Sequence, residues 1–158
     1  MSIEIRNANK NELHPILDLY RHLHPDDKPS PPSRKLQRVW GDIVDDPKLQ
    51  LFVAVLNEQL VASCILAIIP NLSRGARPYG LIENVVTHAD HRRKGIGTRL
   101  LQHVLKIAWE HNCYKVMLLI GSKREETLRF YEKAGFRRGI KTGFIATPGD
   151  EAEPLSAP

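Results

Sequence analysis

The stretch RRKGIGT at residues 92–98 decides the fold of this chain. It lies between a predicted strand and a long predicted helix, and it consists of Arg92, Arg93, Lys94, Gly95, Ile96, Gly97 and Thr98. Two glycines one residue apart allow positive φ and a close approach of the backbone to a ligand. The helix that follows leaves its first N–H groups unpaired beside basic side chains. These features predict that the loop binds an anion, and a pyrophosphate is the anion we expect.

Two better-known phosphate loops do not fit this stretch. The dinucleotide pattern G-x-G-x-x-G needs glycine at the position of Leu100, and the Walker pattern G-x-x-x-x-G-K-S/T is absent from the sequence. Taken alone, the loop is equally compatible with an ordinary glycine turn that carries solvated basic residues.

The hydrophobic pattern on either side of the loop predicts the order β-α-α-β-β-β-α-β-α-β, which favours a mixed α/β sheet flanked by about four helices. The predicted helices include one capped by Asn11, one capped by Ser33, one that follows the loop, and one at residues 123–134 that Gly135 ends. The predicted strands are residues 3–6, 49–56, 60–69, 81–88, 114–120 and 141–146.

Length and composition predict one domain over residues 1–146, followed by a disordered acidic, proline-rich tail at 147–158. No apolar run approaches the roughly 20 residues that cross a bilayer, and the first residues do not resemble a secretory signal. Cys64 and Cys113 have no metal-ligand spacing, so we expect two reduced structural thiols in a cytoplasmic protein.

The formal net charge of +5 favours anionic ligands without choosing among nucleic acid, a membrane surface and a phosphorylated cofactor. No aromatic platform accompanies the basic loop, so we expect neither nucleic acid nor membrane as a partner. The seven histidines form no metal pattern, and we expect no metal. His22, His24, Asp26 and Asp27 cluster in the loop between the first two helices.

A second motif, FYEKAGF at residues 130–136, ends the last predicted helix. The ordered pair of this motif and R-x-x-G-x-G resembles the GCN5-related N-acetyltransferase (GNAT) superfamily over about residues 3–146. Within that superfamily, IENVVT at 82–87 and NCYKVMLL at 112–119 are most similar to glucosamine-6-phosphate N-acetyltransferases and related small bacterial enzymes.

The resemblance implies acetyl transfer from acetyl-CoA to a primary amine by direct attack. It assigns the CoA pyrophosphate to the loop at residues 92–98 and the pantetheine arm to Val85, Val86 and Thr87. It also implies a β-bulge that splays this strand from its neighbour. One strand amide would then polarise the thioester carbonyl, as an oxyanion hole does.

The resemblance gives two residues catalytic roles. Tyr131 would protonate the departing thiolate; the alternative is a tyrosine that packs on the helix face. Glu83 would remove the amine proton; the alternative is a salt-bridged glutamate at a sheet edge. A carboxylate in an otherwise apolar strand is costly without a partner or a task, which favours a role for Glu83.

The chain departs from the family pattern in three places. Glu83-Asn84 replaces the two consecutive acids of the sugar-phosphate enzymes, which weakens that substrate assignment. Arg124 stands where many relatives have asparagine, and Thr127 stands where they have alanine. Arg124 either binds a CoA phosphate or is a solvated cation at the helix start.

The leading expectation is an acetyl-CoA-dependent enzyme that acts on a small-molecule amine, such as an amino sugar or its phosphate. The alternatives are a peptide or protein amine acetyltransferase and a non-catalytic acyl-CoA-binding regulator. The late segment from residue 136 to 146 offers an edge for pairing, and we expect a homodimer.

Overall fold

The computed structural model describes residues 2–28 and 31–149. Within them, the chain forms a sheet of five strands in the order β1-β2-β3-β4-β5, with helices on both faces. The strands are β1 Glu4–Asn7, β2 Leu49–Leu56, β3 Gln59–Ile69, β4 Tyr79–Thr87 and β5 Val116–Met117. The helices are α1 Leu13–Tyr20, α2 Arg34–Asp45, α3 Ser73–Ala76, α4 Ile96–Glu110 and α5 Glu125–Ala134, with a 3-10 turn at Ala89–His91.

Each face of the sheet has its own apolar core. On one face α1 and α2 bury Leu13, Ile16 and Trp40 against Leu51 and Val53 of β2. On the other face α4 presents a buried stripe to β2, β3 and β4, and α5 packs beside α4. The stripe consists of Ile96, Leu100, Leu101, Val104 and Ala108. The spacing of these side chains on one side of α4 explains why the sequence forms an amphipathic helix here.

Local chemistry fixes several element boundaries as the sequence predicted. The Ser33 hydroxyl accepts a hydrogen bond from the backbone N–H of Leu36 at 3.1 Å, which caps α2. Asn57 and Glu58 connect β2 to β3 with positive φ at both residues, which matches the twist of an antiparallel hairpin. Gly135 ends α5 in the left-handed conformation with φ of 113°.

The start of α1 differs from the prediction that Asn11 caps it. The helix begins at Leu13 with Glu12 in the cap position. The Glu12 carboxylate accepts two hydrogen bonds from Arg6 at 2.6 and 2.9 Å and one from the backbone N–H of Asn9 at 2.6 Å. This buried ion pair joins β1 to the turn before α1, so a tertiary contact rather than a local cap sets the boundary. The first strand accordingly runs one residue later than predicted, over Glu4–Asn7.

Strands β4 and β5 separate soon after they meet. They pair in parallel only at Gly80 with Val116 and at Leu81 with Met117. Strand β4 also carries a bulge, because Ile65 pairs with Glu83 whereas Ser63 pairs with Val86, so β4 uses one residue more than β3. Asn84 lies in this bulge with φ of 53°. The sheet therefore has the splayed strand pair that the resemblance implied.

One predicted strand is much shorter in the structure, and another is absent from the part of the chain that it describes. The buried central strand expected at 114–120 is reduced to two residues, neither of them fully buried, and Leu119 is 54% exposed. The strand expected at 141–146 is absent from the described residues, and Phe144 is 90% exposed. Strand β4 pairs with the first segment only at Val116 and Met117. The second segment lies against the first without pairing, since a Cβ atom at Gly143 would be 2.7 Å from Leu119 Cδ2. The first segment therefore forms a ladder over two residues only, and the second forms none within the described residues.

No helix in the described residues is long and apolar enough to cross a membrane. Most of the predicted tail, from residue 150 onward, lies outside the described residues.

Candidate active site

A single cavity of about 900 Å³ lies where the loop at 92–98 faces the end of β4 and one side of α5. It is lined by most of the residues that the sequence assigned to the cofactor. The predicted cofactor residues that line it are Val85, Val86, Thr87, Arg92, Arg93, Gly95, Ile96, Gly97, Thr98 and Arg124. Tyr131, predicted as a catalytic residue, lines it too. Segments separated by up to 46 positions in the sequence thus form one continuous wall.

The loop backbone is shaped to receive an anion. Arg93 and Gly95 both have positive φ, of 60° and 78°. A loop in which residues of positive φ alternate with residues of negative φ turns successive N–H groups toward the same side. These N–H groups form a concave anion-binding surface, called a nest. Gly95 is also the N-cap of α4, and no side chain caps the first N–H groups of that helix. The nest and the positive end of the helix dipole therefore point at one place.

Gly97 lies where the backbone of α4 approaches its neighbours most closely. A Cβ atom at this position would lie 3.0 Å from Thr87 Oγ1 and 3.1 Å from two ring atoms of Phe130. A larger residue here would require Thr87 and Phe130 to shift, which favours glycine for packing between α4, β4 and α5. Gly95 differs, because a Cβ there would meet no atom within 4 Å and its constraint is the positive φ.

The Arg92 side chain contacts backbone carbonyl groups of the protein, although its place in the loop motif predicted contact with the cofactor pyrophosphate. Its guanidinium donates hydrogen bonds to the backbone carbonyl oxygens of Thr87 at 3.1 Å and of His22 at 2.9 Å. The side chain thereby ties the end of β4 to the segment after α1. The anion-binding capacity of the loop rests on its backbone N–H groups and on Arg93, which also lines the cavity.

Tyr131 lies on α5, partly buried, with its ring edge-on to Phe130 and Phe136 at centroid distances of 4.8 and 6.3 Å. Burial raises the pKa of its phenol above the ordinary value of 10.0, and the nearby Cys64 and Glu83 raise it further. The phenol therefore carries its proton at neutral pH.

Glu83 is exposed on β4, one residue before the bulge, and it does not line the cavity. Its charge nevertheless raises the pKa of Tyr131. Lys94 is exposed and likewise stands outside the cavity lining. The structure thus brings Tyr131 and the loop together in one cavity and leaves Glu83 outside its lining.

Arg124 caps the N-terminus of α5, lines the cavity and forms an exposed ion pair with Glu126 at 3.3 Å. Two further basic side chains from α5, Arg129 and Lys133, line the same wall. Their spacing of four residues puts them on one face of the helix, and that spacing was visible in the sequence.

The structure also brings His22 and Leu23 into the cavity lining, together with His91. The His22 ring contacts His88 at a centroid distance of 4.1 Å. Partial burial lowers the pKa of His22, and the neighbouring His88 and Arg92 lower it further. The sequence marked His22 only as part of a loop cluster, and His24 and Asp27 of that cluster line a separate groove between α1 and α2.

The buried thiols lie outside this chemistry. Burial raises the pKa of Cys64 to about 12 and also raises that of Cys113. Both residues are structural, as the sequence predicted. No group of three or more potential metal ligands occurs in the part of the chain that the structure describes.

A splayed strand pair, a concave loop at a helix start and a tyrosine in the wall of the same cavity are the features that the resemblance to acetyltransferases implied. The acetyltransferase (GNAT) family model matches residues 13–136, and the chain belongs to this family. The family uses acetyl-CoA, and the chain is accordingly an acetyl-CoA-dependent acetyltransferase.

Individual relatives agree with this assignment. The chain is 31% identical to the glucosamine 6-phosphate N-acetyltransferase of Trypanosoma brucei brucei over 87% of its own length and 90% of that protein. It is similar to the structure of a putative acetyltransferase from Agrobacterium tumefaciens str. C58, with a TM-score of 0.86 and 40% identity over 91% and 99% of the two chains. The glucosamine-6-phosphate N-acetyltransferase of Arabidopsis thaliana shares the fold, with a TM-score of 0.80 at 21% identity over 95% and 100% of the chains.

Proposed function

We propose that this protein transfers the acetyl group of acetyl-CoA to the primary amine of a small molecule, by direct attack in a ternary complex. The observation that carries the proposal is the cavity itself. It joins a pyrophosphate nest, an unpaired stretch of β4 and the Tyr131 side chain in one space of about 900 Å³. A volume of this size suits a cofactor with an extended arm.

The cofactor would bind with its pyrophosphate on the N–H groups of the loop at 92–98. Its pantetheine arm would lie along Val85, Val86 and Thr87, where β4 has left β5 and its outer edge is free to pair. The basic side chains of Arg93, Arg124, Arg129 and Lys133 would complement the phosphates.

The chemistry needs one proton removed and one delivered. The amine nitrogen attacks the thioester carbonyl carbon, and the C–S bond then breaks to release CoA thiolate. Tyr131 would donate its phenolic proton to that thiolate, whose acid has a pKa near 8.5. Glu83, exposed on β4, would accept the proton that the amine loses, directly or through water. No metal takes part in this scheme.

The acceptor that we favour is an amino sugar or its phosphate. The trypanosomal relative supports this class, because it is named for that substrate and matches most of the chain. The neutral Asn84, where the sugar-phosphate enzymes have a second acid, argues for a difference in how the acceptor is held.

We also propose that the protein is a cytoplasmic homodimer. Leu119, Ile140, Phe144 and Ile145 are all more than half exposed, and they lie in or next to the two segments that pair least with the sheet. A second copy would pair with these segments and cover these side chains. Light scattering at micromolar concentration would give twice the mass of one chain; a single-chain mass would contradict the proposal.

The function is tested by a screen of amino sugars, their phosphates, polyamines and peptides with detection of released thiol. Thiol release with an amino sugar or its phosphate is the expected result. Turnover confined to peptides would instead support the peptide amine acetyltransferase alternative.

A further inference from the structure

A tertiary contact joins the loop at residues 92–98 to the segment that follows α1. The Arg92 guanidinium donates one hydrogen bond to the backbone carbonyl oxygen of Thr87 at 3.1 Å and another to that of His22 at 2.9 Å. Helix α1 packs on one face of the sheet, and the loop leads into α4 on the other. Arg92 therefore connects elements from both faces at the end of β4.

The carbonyl group of His22 lies where a helix end leaves such groups without partners. Helix α1 ends at Tyr20, and the backbone then continues in turns in which the His22 N–H donates to the carbonyl oxygen of Leu19 at 3.0 Å. The last carbonyl groups of a helix have no partner within it and carry the negative end of its dipole. A guanidinium at this end is favoured both as a donor and as a cation.

A ring contact holds the same segment at a second point. The ring of His22 lies at a centroid distance of 4.1 Å from the ring of His88, the residue that follows β4. His88 is itself fixed, because its backbone N–H donates to the carbonyl oxygen of Val61 at 2.8 Å. Its Nδ1 atom also accepts a hydrogen bond from the backbone N–H of Asp90 at 3.2 Å. The segment after α1 thus rests on a ring whose position the sheet determines.

These contacts set the position of one part of the cavity wall. His22 and Leu23 line the cavity together with Val85, Val86 and Thr87, along which we propose that the pantetheine arm lies. His22 and Leu23 belong to no regular helix or strand. Their position therefore depends on tertiary contacts such as those of Arg92 and His88.

The Arg92 contacts also use the part of the side chain that would otherwise hold a phosphate. Nε and Nη2 form one edge of the planar guanidinium, an edge that can bind a phosphate group with two hydrogen bonds. In this structure both nitrogens donate to carbonyl oxygens of the protein. The side chain is thereby committed to joining two segments.

We propose that Arg92 is a positioning residue for the cofactor, whose guanidinium holds the segment of His22 and Leu23 against the end of β4 and so completes the wall around the pantetheine arm. The proposal rests on the acetyl-transfer function proposed above. Arg92 acts through this segment and not as a ligand of the pyrophosphate.

Substitution of Arg92 by lysine separates the two roles. Lysine keeps the positive charge but lacks the planar fork that reaches two carbonyl oxygens at once. Calorimetry should therefore show an acetyl-CoA Kd about tenfold weaker for both Arg92→Lys and Arg92→Met, the fold-change expected for the loss of one hydrogen bond. A wild-type Kd for Arg92→Lys would overturn the proposal, because the charge alone would then suffice.

Arg77→Lys is the matched control. Arg77 also bridges two backbone carbonyl oxygens, those of Asn112 and Cys113, at 3.2 Å each, and it does not line the cavity. The control should leave the acetyl-CoA Kd unchanged. A tenfold loss in Arg77→Lys as well would show that the effect does not depend on the segment after α1 and would overturn the proposal.

A second measurement needs no cofactor. The backbone N–H groups of Leu23 and His24 both donate to the carbonyl oxygen of Tyr20, so their hydrogen exchange reports whether the segment is held. Exchange at both should be about tenfold faster in Arg92→Lys than in the wild type and unchanged in Arg77→Lys. Unchanged exchange in Arg92→Lys would overturn the proposal. Wild-type protein that binds no acetyl-CoA would instead refute the proposed function, while hydrogen exchange would still decide whether Arg92 holds the segment.

Discussion

The helix glycines Gly41 and Gly97 offer a matched pair for testing how the cofactor cavity is built. Gly41 lies in α2, and a Cβ atom there would meet nothing within 4 Å. Gly97 lies in the first turn of α4, and a Cβ atom there would come within 3.0 Å of Thr87 Oγ1 and 3.1 Å of the Phe130 ring. The same substitution, glycine to alanine, therefore separates helix propensity from packing.

The expected magnitudes follow from these distances. Alanine is favoured over glycine in a helix by about 1 kcal/mol, so Gly41→Ala should raise the melting temperature by roughly 2–4 °C. At Gly97 the same gain in helix propensity is opposed by the cost of packing the added methyl group against Thr87 and Phe130, about 1–3 kcal/mol. Gly97→Ala should therefore fall about 1–3 kcal/mol below Gly41→Ala in its free energy of unfolding.

Gly97→Ala should change the affinity for acetyl-CoA more than it changes the stability of the fold. Thr87 and Phe130 both line the cavity, so relief of the contacts moves its walls apart. We expect calorimetry to show an acetyl-CoA Kd at least about tenfold weaker for Gly97→Ala and unchanged for Gly41→Ala. If Gly97→Ala matches Gly41→Ala in both stability and affinity, the close approach of α4 to β4 and α5 does not shape the site. Gly95→Ala should also weaken binding, by strain at its positive φ and not by a clash.

Other substitutions test separate parts of the account. Tyr131→Phe should lower kcat by about 10²–10⁴-fold with little change in acetyl-CoA affinity, because the hydroxyl acts on charge that appears only as the C–S bond breaks. Steady-state kinetics measure kcat and calorimetry measures the affinity. A kcat equal to that of the wild type would exclude the phenol as proton donor. Glu83→Gln should lower the rate mainly below the pKa of the amine, so a pH-rate profile with an equal defect at every pH would assign Glu83 a positioning role. The hydrogen bonds from Arg6 lower the pKa of Glu12, so this pair stabilises the fold fully above the unfolded pKa near 4.3 and its contribution is lost as pH falls through the lower folded value. Glu12→Gln should cost about 1–3 kcal/mol at pH 7 and much less near pH 2, as measured by urea unfolding; an equal cost at both pH values would contradict this.

The parts of the fold that sequence reasoning predicted correctly are those set by local chemistry. The Ser33 cap, the hairpin turn at Asn57 and Glu58 and the terminal Gly135 each follow from what one or two residues do to their own backbone. The loop at 92–98 belongs to this group, because the positive φ of Gly95 and the free N–H groups of α4 are consequences of local sequence.

The remaining features depend on neighbours that are distant in sequence. An apolar run at 114–120 predicts a buried strand, but only the separation of β4 decides that β5 stops at Met117. Asn11 is a residue type that favours the N-cap of a helix. The helix nevertheless begins after Glu12, because the Arg6–Glu12 ion pair joins β1 to the start of α1. The left-handed Asn84 and the contacts of Arg92 with backbone carbonyls have no pattern in the sequence. Asn84 lies at a register change between β3 and β4, and Arg92 bonds a carbonyl 70 positions away.

The central claim is that acetyl-CoA bound at the loop of residues 92–98 gives its acetyl group to a small amine. The most direct measurement is thiol release from acetyl-CoA with glucosamine 6-phosphate and other amino sugars, with mass spectrometry of the product and Gly97→Ala as the matched variant. The account predicts amine-dependent thiol release, an N-acetylated product, and a marked loss of both in Gly97→Ala. Acetyl-CoA binding without thiol release for any amine in the screen would contradict it and would favour a non-catalytic acyl-CoA-binding protein.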